Sequence, residues 1–160
     1  MLLFRLSTFA LLILVAGCGF HLQGAFTTPA AMERTYIAPA DKHSIFYRKL
    51  RSAMKAAGVQ VVDDASDATA TFSILVDETD RRVLSVSARN VPTEYEVYYT
   101  IEYGLDDGTK NLLDVQRRTL TRDYTYDSTL VLGKAKEEEL LREAIVDDLV
   151  RIVLKQISTL

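Results

Sequence analysis

Residues 94–105 read Glu-Tyr-Glu-Val-Tyr-Tyr-Thr-Ile-Glu-Tyr-Gly-Leu, and the rest of the predicted architecture is built around this segment. Apolar and aromatic residues recur at every second position, and glutamate or threonine fills most of the positions between them. Successive side chains of a strand point to opposite faces of the sheet, so the alternation predicts a strand with one packed and one solvated face. The packed face is predicted to carry Tyr95, Val97, Tyr99, Ile101 and Tyr103.

Further extended stretches flank this one on both sides. Residues 106–109, Asp-Asp-Gly-Thr, lead to a second extended stretch over residues 112–126. Asp-Gly between two such stretches is a strong hairpin signal, because glycine adopts positive φ without a Cβ clash. Upstream, residues 69–77 are predicted to be extended, and a continuation over residues 83–88 is left open. Together these stretches predict an antiparallel meander.

A strand, a helix and a second strand are predicted before the meander. The first strand covers residues 34–38 and ends at Pro39, which cannot donate to a ladder. The helix is predicted to be capped by Asp41 and closed by Gly58, and the second strand covers residues 59–62. The apolar stripe of this helix is Phe46, Leu50, Ala53, Met54 and Ala57.

A long last helix is predicted over residues 134–158. Glu137 to Glu139 are placed in its first turn, where negative charge complements the helix dipole. Its apolar stripe is predicted to be Leu141, Ile145, Leu149, Ile152 and Val153. The opposite, solvated face is predicted to carry Glu138, Arg142, Asp147 and Arg151.

Two amphipathic helices and a one-sided sheet bury their apolar faces only by packing against each other. We therefore predict an α+β fold: a two-layer sandwich whose mixed or antiparallel sheet has four to five strands, with two helices on one face. The predicted organisation is a signal peptide over residues 1–17, a lipidated tether over 18–33, and a single α+β domain over 34–160.

The N-terminus carries the signal for export. Arg5 is followed by an almost unbroken apolar run that ends at residue 16, which is typical of a secretory signal and is too short for a membrane-spanning helix. Val15-Ala16-Gly17-Cys18 resembles a lipobox, in which the cysteine thiol receives a diacylglycerol before cleavage. An ordinary signal peptide followed by a chance cysteine is the alternative. Cys18 is the sole cysteine, so no intrachain disulfide can form.

Lipidation of Cys18 determines where the chain is expected. A diacylglycerol and an N-acyl chain on Cys18 anchor far more firmly than a single chain does, since each buried methylene adds about 0.8 kcal/mol. Glycine rather than aspartate follows the cysteine, a pattern that in Gram-negative lipoproteins resembles export to the outer membrane. We expect the periplasmic face of the outer membrane, and no cofactor besides the covalent lipid.

Composition argues against nucleic-acid binding and catalysis. The formal net charge is −3 and basic residues are dispersed among acidic ones, so no field suited to nucleic acid is expected. The two histidines, His21 and His43, are not placed to serve a nucleophile or to complete a zinc site. We expect no enzyme and no metal. A carboxylate-based hydrolase is the weakest alternative, because adjacent acidic residues point apart.

Tyrosines gather on the two strands of the predicted hairpin. Tyr95, Tyr99 and Tyr103 are interpreted as core, although such aromatic surfaces also suit protein partners or glycans. Tyr98 lies on the opposite face and is the better candidate for a partner contact. A free-standing lipoprotein that binds glycan or peptidoglycan is therefore kept as the alternative function.

Several segments resemble the LptE family of lipopolysaccharide-assembly lipoproteins. Residues 17–22, Gly-Cys-Gly-Phe-His-Leu, are similar to the family's start, although tryptophan is usual where Phe20 stands. Residues 88–90 leading to 93–96, and residues 132–134 at the last helix, are also similar, as is the order of elements. The resemblance implies a non-enzymatic subunit that plugs and stabilises the LptD β-barrel and assists insertion of lipopolysaccharide. It also implies that Arg89 and Lys134 contact lipopolysaccharide, whose phosphates suit guanidinium and ammonium groups.

Overall fold

A computed structural model of the chain describes residues 29–160. Within this range the chain forms one five-stranded sheet and two α-helices, besides short 3-10 turns at Ala30–Met32 and Ala65–Asp67. The strands are β1 (Arg34–Ala38), β2 (Gln60–Val62), β3 (Ala70–Val86), β4 (Pro92–Asp106) and β5 (Asn111–Thr125). The helices are α1 (Ile45–Ala56) and α2 (Val131–Ile157). The predicted signal peptide, Cys18 and most of the predicted tether lie outside the described residues.

The strands lie in the order β2-β1-β3-β4-β5. β1 is parallel to β2, because α1 carries the chain back across the sheet between them. β1 is also parallel to β3 on its other side. β3, β4 and β5 are antiparallel to one another. The predicted α+β fold with a mixed sheet is confirmed, as is the meander.

The meander strands are long because their ladders continue past local irregularities. β3 continues without a break to Val86, so the continuation left open by the sequence exists, with register shifts between Ile74 and Val76 and between Val83 and Ser85. The β4–β5 turn forms as predicted, with Gly108 at φ +80°. Asp107 Oδ1 accepts hydrogen bonds of 3.0 Å from the amides of Thr109 and Lys110, which hold the turn closed.

The core lies between the sheet and the two helices. Val97, Ile101 and Tyr103 of β4 are fully buried, as the alternation predicts. The ring of Phe72 stacks on that of Tyr103 at 5.5 Å between centroids. The helices contribute the buried side chains Phe46, Leu50, Met54, Ile145, Val146, Leu149, Val150, Val153, Leu154 and Ile157.

Three details of the helix predictions are wrong. α1 is capped by Ser44, whose Oγ accepts from the amide of Tyr47 at 3.0 Å, whereas Asp41 accepts from the amide of His43. α2 begins at Val131, so the acidic run 137–139 lies beyond its first turn. Ile152 is 37% exposed, because the buried stripe of α2 includes Val150 and Leu154 beside the predicted Val153.

The packed region begins a few residues before β1. Met32 is 1% exposed within the core, although the tether was predicted to run to residue 33. The hydroxyl of Thr35, itself fully buried, donates to the Met32 carbonyl at 2.9 Å. The last residues of the predicted tether are therefore packed against the domain.

Asp77 links the sheet to α1. The Tyr99 hydroxyl donates to Asp77 Oδ1 at 2.5 Å, and the Ser44 hydroxyl donates to Asp77 Oδ2 at 2.5 Å. Burial raises the pKa of Tyr99, and the neighbouring carboxylate raises it further, so the hydroxyl stays a donor. One carboxylate thus joins β3, β4 and the cap of α1.

Tyr99→Phe removes one donor from Asp77 and leaves a partly desolvated carboxylate with a single partner. We expect the free energy of unfolding to fall by about 1–3 kcal/mol. Tyr98→Phe is the matched control on the other face of the same strand, with an expected change within about 0.5 kcal/mol. Urea unfolding followed by circular dichroism measures both, and equal effects would contradict the role given to Asp77.

Candidate functional site

The β3–β4 turn and the start of α2 lie toward the same end of the molecule, called here the distal end. Val86 pairs with Pro92 there, and the amide of Tyr126 donates to the Thr93 carbonyl at 2.8 Å just before the chain turns into α2. The chain enters β1 at the opposite end, where Thr35 pairs with Ala70 and Thr71 pairs with Asp106.

Arg89 is at the tip of the distal end. Its turn is held by the amide of Ser87, which donates to Val91 at 2.8 Å, and by the amide of Asn90, which donates to Ser87 at 2.8 Å. Asn90 adopts φ +60°, a conformation that asparagine tolerates better than most residues. Arg89 itself is exposed to solvent.

Lys134 lies in the first turn of α2 and is less exposed than the sequence suggests. Its side chain is 18% exposed, and Nζ lies 2.7 Å from Glu137 Oε2. The lysine therefore has a carboxylate partner one turn along the helix, which offsets its unfavourable place near the positive end of the helix dipole.

Lys134 is part of a cleft between β3 and the first turns of α2. The cleft has a volume of about 470 Å³. It is lined by Asp80, Arg81, Tyr126, Val131, Lys134, Ala135, Glu138 and Arg142. Of these residues the sequence singled out only Lys134 as a site residue.

Glu138 lies at the floor of this cleft, and its predicted place on a solvated helix face is wrong. It is 7% exposed. Oε2 accepts from Arg81 Nη1 and from the Tyr124 hydroxyl, both at 2.7 Å, and Oε1 accepts from Arg142 Nη2 at 2.5 Å. A buried carboxylate with such partners remains charged and joins α2 to β3 and β5.

The electrostatics of Glu138 have opposing contributions. Burial alone raises the pKa of a carboxyl group, but the Tyr124 hydrogen bond and the guanidiniums of Arg142 and Arg81 outweigh it. The pKa of Glu138 is consequently below its usual value. Burial and the adjacent carboxylate in turn raise the pKa of Tyr124.

The tyrosines of the hairpin are mostly packed. Tyr95 stacks on Tyr124 at 5.8 Å between ring centroids and meets Tyr126 edge-on at 5.3 Å, with the Arg81 guanidinium 4.7 Å from the Tyr95 ring centre. Tyr99 and Tyr103 are buried in the core. These side chains do not form the exposed aromatic surface that motivated the glycan-binding alternative.

Tyr98 lies on the face of the sheet opposite the helices, called here the open face. Strand register places the even-numbered residues 94–102 of β4 on this face with their partners in β3 and β5. Arg82 pairs with Glu96, Arg117 lies 3.2 Å from Glu102, and the Arg82 guanidinium is 6.0 Å from the Tyr98 ring centre. The acidic residues in these rows are Glu78, Asp80, Glu94, Glu96, Glu102 and Asp123.

Exposed apolar side chains accompany the basic residues at the distal end. They include four residues around the β3–β4 turn and three at the start of α2, of which Leu132 is 88% exposed. They are Val83, Leu84, Val86, Val91, Leu130, Val131 and Leu132. A contiguous cluster of exposed apolar residues typically marks an interaction surface, whereas single exposed apolar residues do not.

Residues 29–160 contain no group of three or more His, Cys, Asp or Glu side chains that could hold a metal ion. In the same range, neither helix has the length and apolar character needed to cross a membrane. His43 lies exposed just before α1, and Cys18 is outside the described residues.

Solved structures similar to this chain show that it has the fold of a group of bacterial lipoproteins. The solution structure of the uncharacterized lipoprotein B of Nitrosomonas europaea is 30% identical, with a TM-score of 0.72 over 88% of this chain and 90% of that one. The rare lipoprotein B of Shewanella oneidensis is 23% identical and shares the fold, with a TM-score of 0.68 over 79% of this chain and 94% of that one.

The family model for LptE, described as lipopolysaccharide-assembly, matches residues 32–157. The chain belongs to this family, as the sequence resemblance indicated. The LPS-assembly lipoprotein LptE of Pectobacterium atrosepticum is 21% identical, over 99% of this chain and 86% of the relative. The corresponding protein of Photorhabdus laumondii is 22% identical, over 92% of this chain and 80% of the relative.

Glu138→Gln tests the role of the buried carboxylate in stability. Because the folded pKa of Glu138 is lowered, its contribution is present above its unfolded pKa of about 4.3 and is lost as pH falls through the folded value. We expect the variant to be less stable by about 1–3 kcal/mol at pH 7, and the difference to shrink below about pH 4.

Urea unfolding at pH 3 to 8 measures this dependence. Glu139→Gln is the matched control, since Glu139 is 54% exposed and pairs only with Lys136 among its described neighbours. A stability difference for Glu138→Gln that stays constant across the pH range would contradict the charged role of Glu138.

Proposed function

We propose that this chain is a non-enzymatic subunit of the outer-membrane machinery that inserts lipopolysaccharide. It plugs and stabilises the LptD β-barrel and presents basic residues to lipopolysaccharide. Membership of the LptE family supports the assignment to lipopolysaccharide assembly. Beyond family membership, we propose the barrel as partner, the contact residues and the lipid anchor.

The observation that carries the proposal is the composition of the distal end. Arg89 and Lys134 are 45 residues apart in sequence, yet the sheet register and the start of α2 bring both toward this end. Exposed apolar side chains surround them. Lipid A combines anionic phosphates with acyl chains, so a surface that offers cations beside apolar groups matches its chemistry.

The open face is suited to contact with a protein rather than with lipopolysaccharide. Six carboxylates and two arginines make it acidic, which repels phosphate groups and directs lipopolysaccharide to the distal end. We propose that Tyr98, half-buried near the middle of this face, contacts the barrel. Tyrosine is enriched at protein interfaces because it combines apolar area with a polar tip.

The lipid on Cys18 anchors the domain to the periplasmic face of the outer membrane. Cys18 and Arg34 are separated by 16 residues, a length that spans at most about 55 Å when fully extended. The chain enters the domain at the end opposite Arg89. The point where the tether joins the domain and the proposed lipopolysaccharide contact therefore lie at opposite ends of the sheet.

A mild-detergent pull-down of the tagged full-length protein from outer membranes tests the proposal. Wild type should recover a large barrel protein in equal amount together with lipopolysaccharide. Arg89→Ala and Lys134→Ala should keep the barrel but bind lipopolysaccharide on the order of tenfold more weakly, because each removes a charge-assisted contact.

Arg117→Ala is the matched control, an exposed arginine on the open face that pairs with Glu102. It should leave lipopolysaccharide recovery unchanged. Recovery of the wild-type lipoprotein without any barrel would refute the plug role. Full lipopolysaccharide binding by both Arg89→Ala and Lys134→Ala would refute the contact residues while leaving the plug role intact.

Cys18→Ser tests the lipid anchor separately. The variant lacks the thiol that receives diacylglycerol, so the protein should no longer fractionate with membranes. Labelling with radioactive palmitate should likewise disappear, while Gln23→Ser, in the tether, should retain both properties. Membrane retention of an unlabelled Cys18→Ser protein would mean that anchoring does not depend on the lipid.

A further inference from the structure

We propose that the cleft at the distal end binds a phosphate group carried by a sugar, and that Arg81 and Arg142 contact this phosphate together with Lys134. The inference rests on the proposed function and specifies where on this chain a phosphorylated saccharide is recognised. It also adds two residues that neither the sequence nor the family resemblance singled out.

Three cationic side chains converge on the cleft. Arg81 comes from β3, whereas Lys134 and Arg142 lie two turns apart on α2, and all three line the same cleft. Each guanidinium has five N–H donors. The Glu138 contacts of Arg81 and Arg142 each use one of them, and Arg81 uses Nη1 again for Tyr124. Donors therefore remain for a ligand.

One of the remaining donors is conspicuous. Arg142 Nε is buried and has no hydrogen-bond partner among the described residues. A buried donor without a partner is costly, and such groups usually meet a ligand or an ordered water. Nε itself is closed to water, so an acceptor in the cleft reaches it only when the Arg142 side chain turns toward the cleft.

The cleft carries one excess positive charge. Arg81, Lys134 and Arg142 are basic, whereas Glu138 and Glu137, the ion-pair partner of Lys134, are acidic, and the side chain of Asp80 lies on the open face. Glu138 is committed to the two arginines and to Tyr124, so it holds the guanidiniums in place rather than opposing a ligand directly. It is a positioning residue.

Lys134 is held by a carboxylate that can be displaced. Glu137 is 44% exposed, and its Oε2 lies 2.7 Å from Lys134 Nζ. Exposed ion pairs contribute little stability, so a doubly charged phosphate competes readily for the ammonium group. Glu137 is therefore the ion-pair partner of Lys134 when no anion is bound.

The volume and the lining of the cleft suit a phosphorylated sugar. A volume of about 470 Å³ is within the range of roughly 300–1,000 Å³ found for small-molecule sites. Tyr126 and Val131 supply aromatic and apolar surface in the lining, which suits the carbon face of a sugar ring. Inorganic phosphate alone would leave this part of the cleft empty.

The experiment compares two ligands for each variant of the purified full-length lipoprotein in detergent. One ligand is lipopolysaccharide with its lipid A phosphates, and the other is the same material after enzymatic dephosphorylation. The measured quantity is the ratio of their dissociation constants. Wild type should favour the phosphorylated form on the order of tenfold.

Arg81→Gln and Arg142→Gln should each lower this ratio severalfold, because Arg89 and Lys134 still contact phosphate, while the matched control Arg117→Gln should keep the wild-type ratio. Glu137→Gln frees Lys134 and should raise the ratio above that of wild type, an increase that a merely structural role would not produce. Arg81 and Glu137 are each 44% exposed, so these two variants decide the test even if Arg142→Gln fails to fold.

The outcomes separate this inference from the proposed function. An unchanged ratio in Arg81→Gln, or no increase in Glu137→Gln, overturns the inference, as does wild type that binds both ligands equally well. None of these outcomes contradicts the binding of lipopolysaccharide by the lipoprotein. Wild type that binds neither ligand would instead refute the proposed function itself.

Discussion

One face of the meander is covered and the other is open, and the rest of the molecule follows from this asymmetry. The two helices of the described domain pack on the face that carries Val97, Ile101 and Tyr103. Packing of the helices against this face removes most of the buried apolar surface from water. This removal is the main favourable contribution to folding. The open face remains polar, so charge rather than packing determines what it can meet.

The covered layer also assembles the candidate site. α2 contacts β4 and β5 along the sheet, and this brings its N-terminal turns beside β3. Glu138 then bridges Arg81 and Arg142, with Tyr124 as a further donor. The same interaction stabilises the helix on the sheet and orients guanidiniums toward a cleft. The structural role of Glu138 and the binding role proposed for its arginine partners thus depend on one carboxylate.

The distribution of charge gives the domain two chemically distinct surfaces. The distal end combines Arg89 and the cleft cations with exposed apolar residues, whereas the open face is acidic. An anionic amphiphile is attracted to the first and repelled by the second. The proposed function uses this separation, with the distal end for a lipid cargo and the open face for a protein partner.

Strand and helix positions were largely determined by the sequence itself. Alternation over residues 94–105 and the three- and four-residue spacing in α1 and α2 are local patterns, and each reflects the geometry of a single element. Gly58 and Gly108 were likewise predictable, since both adopt the positive φ that glycine tolerates. The lipobox around Cys18 is also a local signal, and it remains a prediction.

The position of Glu138 and the side chains around it depend on long-range contacts. Arg81 and Glu138 are 57 residues apart, and no local period reports which strand a helix residue will meet. On helical spacing alone Glu138 belongs with the solvated residues, and the register of β3, β4 and β5 is what places an arginine and a tyrosine beneath it. The cleft and the charged cluster around Glu138 are formed by contacts between residues far apart in sequence. The sequence therefore indicated Lys134 but not the residues that surround it.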